Sequence, residues 1–301
     1  MRVFVTGASG WIGSAAVDEL LATGHEVTGL ARSDASAATL AAKGVRVRRG
    51  DLDDLDSLRA GASDADAVLH LANKHDFVNP AISNAAERAA VQTIGDTLAG
   101  SGRAFLLASG CRRPERGPPG HRGRPVAVPR PRLAAGRRRE PRVRVRRPWC
   151  PHGEPPVRAH RPRVGDHGFI AAIAGVARAK GVSGYPGDGT NRWAAVHRSD
   201  AARLVALGLA KAPAGSRLHA VAEEGIPSRQ IAEAIGHALG LPVTSVDPDD
   251  VQDHFGWIGG FFAMSLTATS DRTRELLGWT PTGPTLSEDL AAGAYGTAVR
   301  A

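Results

Sequence analysis

The stretch Val3-Phe4-Val5-Thr6-Gly7-Ala8-Ser9-Gly10-Trp11-Ile12-Gly13 decides the fold. An apolar, β-type run enters a turn with glycines at 7, 10 and 13, and a helical pattern of Trp11, Ile12, Ala15, Ala16, Leu20 and Leu21 leaves it. Strand, turn and helix in such close succession set a helix N-terminus above the end of a strand. Gly7 permits the sharp turn, Gly10 lets backbone approach a pyrophosphate, and Gly13 lets the helix pack closely on the strand. The anion then meets free N–H groups and the positive end of the helix dipole.

Moving outward, four more short apolar runs read as strands: Glu26–Ala31, Val45–Arg49, Ala67–Leu71 and Ala104–Ala108. Helical patterns alternate with them, the longest over Pro80–Ala99. That alternation predicts an α/β chain with a doubly wound parallel sheet of the Rossmann type, with ligand at the carboxyl ends of the strands. The second strand ends in Ala31-Arg32-Ser33. A cation and a hydroxyl at that place suit a 2′-phosphate and tilt the expected cofactor to NADP, while nearby Asp34 keeps NAD open.

The spacing Gly-x-x-Gly-x-x-Gly, led by Thr6 and followed by Trp11-Ile12, resembles the extended and atypical short-chain dehydrogenase/reductases, including the NAD-dependent epimerase/dehydratase-like proteins. The resemblance covers residues 1–110 and 165–295. It implies that Asp51, with Leu52, meets the adenine; the plainer reading of Asp51 is a helix N-cap. It also implies that Leu71, Ala72 and Asn73, after His70, line the cofactor pocket. Further on, Gly187-Asp188-Gly189, Val196-His197-Arg198-Ser199-Asp200-Ala201-Ala202 and Leu277-Gly278-Trp279-Thr280-Pro281 follow in the order seen in the substrate lobe of such proteins. The expected organisation is a dinucleotide-binding domain over 1–165 and a small α/β substrate lobe, mostly 166–301, interleaved with it. Ser199 or Asp200 is expected to cap a helix to Lys211, Ser216–Val221 to form a strand, and His167, Asn191, Trp193 and His197 to lie nearest the substrate.

The 301 residues carry a net charge of +8 and a pI near 10.4, which invites a nucleic-acid reading. The charge is not spread evenly. Residues 111–163 hold 17 arginines against three glutamates, a net of +14, so the remainder carries −6. No run of 18 apolar residues suggests a membrane span, no signal peptide is read, and two cysteines argue against a disulfide scaffold. A cytoplasmic setting follows as the expectation, with a small-molecule substrate as partner, a homodimer left open, and neither membrane nor metal.

Segment 111–164 breaks the pattern. It holds 12 of the 20 prolines and no Ile, Phe, Tyr, Lys, Asp, Asn, Gln, Thr or Ser. Such a composition offers too few apolar side chains to offset ordering entropy, so neither a strand nor a helix with a buried face is expected. Moving one base forward in GC-rich codons, His160-Arg161-Pro162-Arg163 permits Thr-Val-His, and the family pattern then resumes at Gly165-Asp166-His167-Gly168. The segment thus reads as an out-of-frame translation. The competing reading is an Arg-rich nucleic-acid-binding segment.

The resemblance would put a Tyr-x-x-x-Lys pair on the helix after the fifth strand. The lysine there lowers the tyrosine pKa so that the phenol trades a proton as hydride moves. Only Tyr185 and Tyr295 exist, neither with Lys four residues on, and no lysine lies between Lys74 and Lys180. Ser109 matches the family's substrate-positioning Ser/Thr and is the one catalytic candidate. Three readings stay open: an NAD(P)-dependent reductase or epimerase of atypical type, a non-catalytic NAD(P) sensor, and a nucleic-acid binder.

Overall fold

The computed structural model describes residues 1–74, 80–108, 145–149, 168–293 and 295. The chain runs β1 (Arg2–Thr6), α1 (Trp11–Ala22), β2 (Glu26–Ala31), α2 (Asp34–Ala41), β3 (Arg46–Arg49), α3 (Leu55–Ser63), β4 (Ala67–His70), α4 (Pro80–Leu98), β5 (Ala104–Ala108) and β6 (Val145–Trp149). It continues through α5 (Phe169–Lys180), β7 (Ser183–Pro186), β8 (Arg192–Ala195), α6 (Arg198–Lys211), β9 (Glu223–Pro227), α7 (Ser228–Leu239) and β10 (Val243–Val246). Four short helices close it: α8 (Val251–Phe255), α9 (Gly259–Phe262), α10 (Asp271–Leu277) and α11 (Leu286–Ala291).

The first six strands form one parallel sheet in the order β3-β2-β1-β4-β5-β6. This is the doubly wound order, with β1 at its centre. Strand periodicity sends alternate side chains to opposite faces. Val3 and Val5 of β1 join Val17, Leu20, Val205 and Trp279 in one core cluster, while Phe4 joins Leu58, Val68, Ile94 and Phe105 in another. Both faces are covered, so β1 reads as a continuous apolar run rather than an alternation. A third cluster, around Ile173, Trp193, Ile226, Ile231, Phe255 and Phe262, builds the carboxyl-terminal lobe with the parallel pair β7–β10 and the antiparallel pair β8–β9.

The two late motifs of the sequence meet in space. Asp200 on α6 is fully buried, and its carboxylate accepts the backbone N–H groups of Thr282 and Gly283, each at 2.9 Å, and pairs with Arg203. The Trp279 indole N–H donates to the Asp200 carbonyl at 3.0 Å. The Leu-Gly-Trp-Thr-Pro tail is thereby bolted to the helix that packs on α1. Asp200 therefore does not cap α6. The cap is His197, whose ring accepts the Ser199 N–H.

Three further expectations change. Ser216–Val221 is extended but forms no strand; the strand is Glu223–Pro227. The backbone of the earlier segment is drawn to side chains instead, the His219 N–H donating to Thr273 Oγ1 at 2.8 Å. The cap of α3 is Asp54, which accepts the Ser57 N–H, and not Asp51. Within the Arg-rich segment the structure places strand β6, parallel to β5, where no strand was expected. Ladder bonds belong to the backbone and are indifferent to composition, and β6 is the outermost strand, where Pro148 is tolerated beside a register shift. The rest of 111–164 lies outside the described residues.

Candidate cofactor site

The glycine turn connects β1 to α1, and its three glycines serve different ends. Gly7 has φ +70°, and a Cβ there would lie 2.7 Å from the Ala72 backbone nitrogen. A Cβ at Gly13 would lie 1.9 Å from the Gly7 carbonyl oxygen. Both are demanded by the fold. Gly10 is different: its φ is −73°, open to any residue, and a Cβ would meet only the Gly7 carbonyl, at 3.1 Å. That contact is tight and with backbone, so a side chain here would press on the turn as well as on a ligand approaching the helix end. Gly10 is the N-cap of α1 and supplies no side-chain cap, and no acidic residue stands in the first turn. The positive helix end is thus presented to whatever lies over the exposed Ser9 and Gly10.

Behind the turn runs a buried polar chain that sequence reasoning missed. The Ala72 N–H donates to Thr6 Oγ1 at 3.3 Å, and the same hydroxyl shares a hydrogen bond with His70 Nδ1, 2.8 Å away. His70 Nε2 lies 3.2 Å from Glu87 Oε1 of α4 without a hydrogen bond between them. Thr6 and His70 are fully buried. The chain ties together the ends of β1 and β4, which form two walls of one crevice. The readable signal was parity: Thr6 and His70 are register partners at the ends of adjacent strands.

At the end of β2, Arg32 is exposed and has neither a hydrogen bond nor an ion pair among the described residues. Ser33 caps α2 in a reciprocal capping box with Ser36. Asp34 pairs with Arg49 at 2.7 Å. Asp51 Oδ1 accepts the N–H groups of Asp53 and Asp54, at 2.8 and 3.1 Å, which shapes the turn beside buried Leu52. Leu71, Ala72 and Asn73 follow β4, and the next residue, Lys74, pairs with Asp53 across the turn. Ala8, Trp11 and Ile12 complete the loop. These residues line up along the carboxyl ends of β1 to β4.

The residues expected nearest the substrate are more scattered. Asn191 donates to the Phe262 and Met264 carbonyls at 2.6 and 2.9 Å and accepts the Ser228 hydroxyl, which anchors α9. Trp193 is buried, with its ring 4.3 Å from that of Phe169 and its N–H directed to the Phe262 carbonyl. His197 is half-buried, and its Nδ1 lies 2.7 Å from Ser199 Oγ. Burial lowers its pKa, against the opposing pull of Asp200. Ser109 and His167 lie outside the described residues. Among the described residues no cluster of His, Cys, Asp and Glu could hold a metal, and no helix is long and apolar enough to cross a membrane. A cleft of about 620 Å³ lies at the other end of the sheet, where Arg2, Arg46 and Arg48 pair with Asp66, Glu26 and Asp64. Its cations are already matched by carboxylates.

The family model for the NAD dependent epimerase/dehydratase family matches residues 3–99, the stretch that carries the whole crevice. An uncharacterized protein of Schizosaccharomyces pombe is 41% identical over 98% of this chain and 100% of its own length. The chain belongs to the NAD dependent epimerase/dehydratase family. Among solved structures, a UDP-glucose 4-epimerase of Thermotoga maritima with UDP-glucose superposes with a TM-score of 0.69 at 17% identity, over 98% of each chain. A UDP-glucose 4-epimerase of Thermus thermophilus in complex with NAD gives 0.65 at 21%, again over 98% of each. These likenesses share the short-chain dehydrogenase/reductase fold with this family member, whose residues in the crevice fit an NAD(P) cofactor.

Proposed function

We propose that the chain holds NADP in preference to NAD along the carboxyl ends of β1 to β4 and acts on a small molecule as an atypical reductase or epimerase. Gly7, Ala8, Ser9, Gly10, Trp11, Ile12 and Gly13 cradle the pyrophosphate. Arg32 and Ser33 meet the 2′-phosphate, Asp51 and Leu52 the adenine, and Leu71, Ala72 and Asn73 the inner wall. When bound, the cofactor supplies hydride chemistry. The residues of the chain orient it, with buried Thr6 and His70 joining the ends of β1 and β4 behind the turn. Ser109, His167, Asn191, Trp193 and His197 remain the substrate-side proposals, Ser109 as the catalytic one.

The observation that carries this reading is Gly10, an exposed glycine with an ordinary φ at a helix end that has no side-chain cap and no acidic residue in its first turn. The test is an NADPH titration of the full chain and of a frame-restored version, each beside its Gly10→Val variant. Valine at this place presses on the Gly7 carbonyl and blocks the path of the pyrophosphate, so binding is lost, and a melt of the ligand-free variant that stays cooperative separates loss of the site from loss of the fold. A Gly10→Val protein that binds NADPH as tightly as its parent overturns the reading.

The missing Tyr-x-x-x-Lys pair favours a second reading, a dinucleotide-binding sensor or regulator without turnover. NADPH oxidation with any carbonyl substrate separates it from the first. A homodimer is proposed alongside and is tested by the mass in solution.

A further inference from the structure

Arg198 stands at the first position of α6, 187 residues along the chain from Trp11 at the first position of α1, yet the two meet. The guanidinium lies 4.5 Å from the centroid of the Trp11 ring, and its Nη1 donates toward the Trp11 carbonyl at 3.4 Å. A cation is disfavoured at a helix N-terminus, where the dipole is positive, and here two such ends converge on one guanidinium. The indole face offsets part of that cost. An anion over the Gly7–Gly13 turn would meet the N-terminal end of α1 beside this cation. Arg32, at the end of β2, belongs to a different part of the crevice.

Building on the NAD(P) reading above, we propose that Arg198, delivered by α6, is a second-lobe ligand of the cofactor pyrophosphate, the element shared by NAD and NADP. It then joins cofactor binding to the helix that Asp200 bolts to the tail. An arginine suits this role better than a lysine, since its planar fork can stack on the indole while donating to phosphate oxygens.

The test is calorimetric titration of the full chain, parent and variants, with ADP-ribose, which carries the pyrophosphate, and with adenosine, which does not. Arg198→Gln is expected to weaken ADP-ribose by about 10–100-fold, the scale of charge-assisted hydrogen bonds, and NADH and NADPH alike. Adenosine should change by less than about 2-fold, well under the scale of one lost hydrogen bond. Arg198→Lys, which keeps the charge but not the planar fork, should recover only part of the loss, and an unchanged ligand-free melt guards against a glutamine variant that does not fold. An unchanged ADP-ribose affinity in Arg198→Gln overturns the proposal. Equal weakening of adenosine and ADP-ribose overturns it too, since that would mark a scaffold effect. If the parent binds NADPH and only the arginine variants match it, this inference fails alone. If the parent binds no dinucleotide, the cofactor reading fails with it.

Discussion

Replacing Asp200 with alanine should cost this protein a large part of its stability. Asp200 is fully buried, and three donors converge on its carboxylate: the N–H groups of Thr282 and Gly283 at 2.9 Å and the Arg203 guanidinium. Alanine leaves all three behind. A buried backbone N–H stripped of its acceptor costs about 1–3 kcal/mol, and these two, being part-buried, fall toward the lower end. Arg203 keeps the Thr282 hydroxyl at 2.7 Å and some access to water, so its share is smaller. Removing one partner of a buried pair costs about 3–5 kcal/mol in measured cases, which agrees with that sum. At roughly 2–4 °C per kcal/mol for a chain of this size, the melting temperature should drop by about 10 °C. Asp200→Asn keeps one carbonyl acceptor and should fall between parent and alanine. Circular dichroism melts of the three proteins at neutral pH measure this. An alanine variant that melts within about 2 °C of the parent, less than one kcal/mol on the same scale, refutes the idea that Asp200 holds the tail to α6.

Arg32→Asp should swing the NADPH/NADH affinity ratio toward NADH by roughly 1–3 kcal/mol, the worth of a lost charge-assisted hydrogen bond; an unchanged ratio leaves Arg32 a solvated cation. His197 is held below its ordinary pKa of 6.5, chiefly by burial, so the unfolded chain takes up a proton before the folded one does. Stability should therefore fall as pH drops through the unfolded value near 6.5, and His197→Gln should flatten that slope in melts taken between pH 5 and 8. Trypsin should cut the chain as written first between Cys111 and Val164, and a frame-restored chain should resist it and melt cooperatively; resistance of the unaltered segment, despite 17 arginines, would end the out-of-frame reading.

The sheet was legible because its signals are local. An apolar run, a glycine turn and a helical period lie side by side in the first twenty residues, and the same alternation recurs to β5. What the sequence hid depends on contacts between distant positions. Ser199 and Asp200 look like helix caps when only their neighbours are considered, because short polar side chains before an apolar helix usually are. In the structure Asp200 faces backbone more than eighty residues away, and the cap falls to His197. Asp51 loses the cap to Asp54 for a smaller reason, a helix that begins one turn later. The Thr6–His70 bond and the approach of Glu87 need a strand register and a helix placement that no local pattern supplies. Asn191 and Trp193 were noticed as polar and aromatic residues in a glycine-rich loop, but their polar atoms are turned inward to hold α9.

Strand β6 does not make the Arg-rich segment ordinary. A strand adds to an open edge through backbone bonds alone, while a covered sheet face also requires apolar side chains, which this segment largely lacks. The residues proposed for the dinucleotide lie in 7–73 and at Arg198, and the Trp279 tail that braces α6 also lies outside 111–164. The family's proton-transferring pair belongs instead to the helix after β5, within the stretch where the pattern fails. Binding and turnover are thus separable along the chain: the crevice depends on residues whose packing is intact, and catalysis on residues that the written sequence does not provide. A chain that binds NADPH and turns nothing over, and whose frame-restored form still lacks a tyrosine–lysine pair, would place this protein among the binders of its family. Turnover by either form would instead direct attention to Ser109 and the lobe that carries His197.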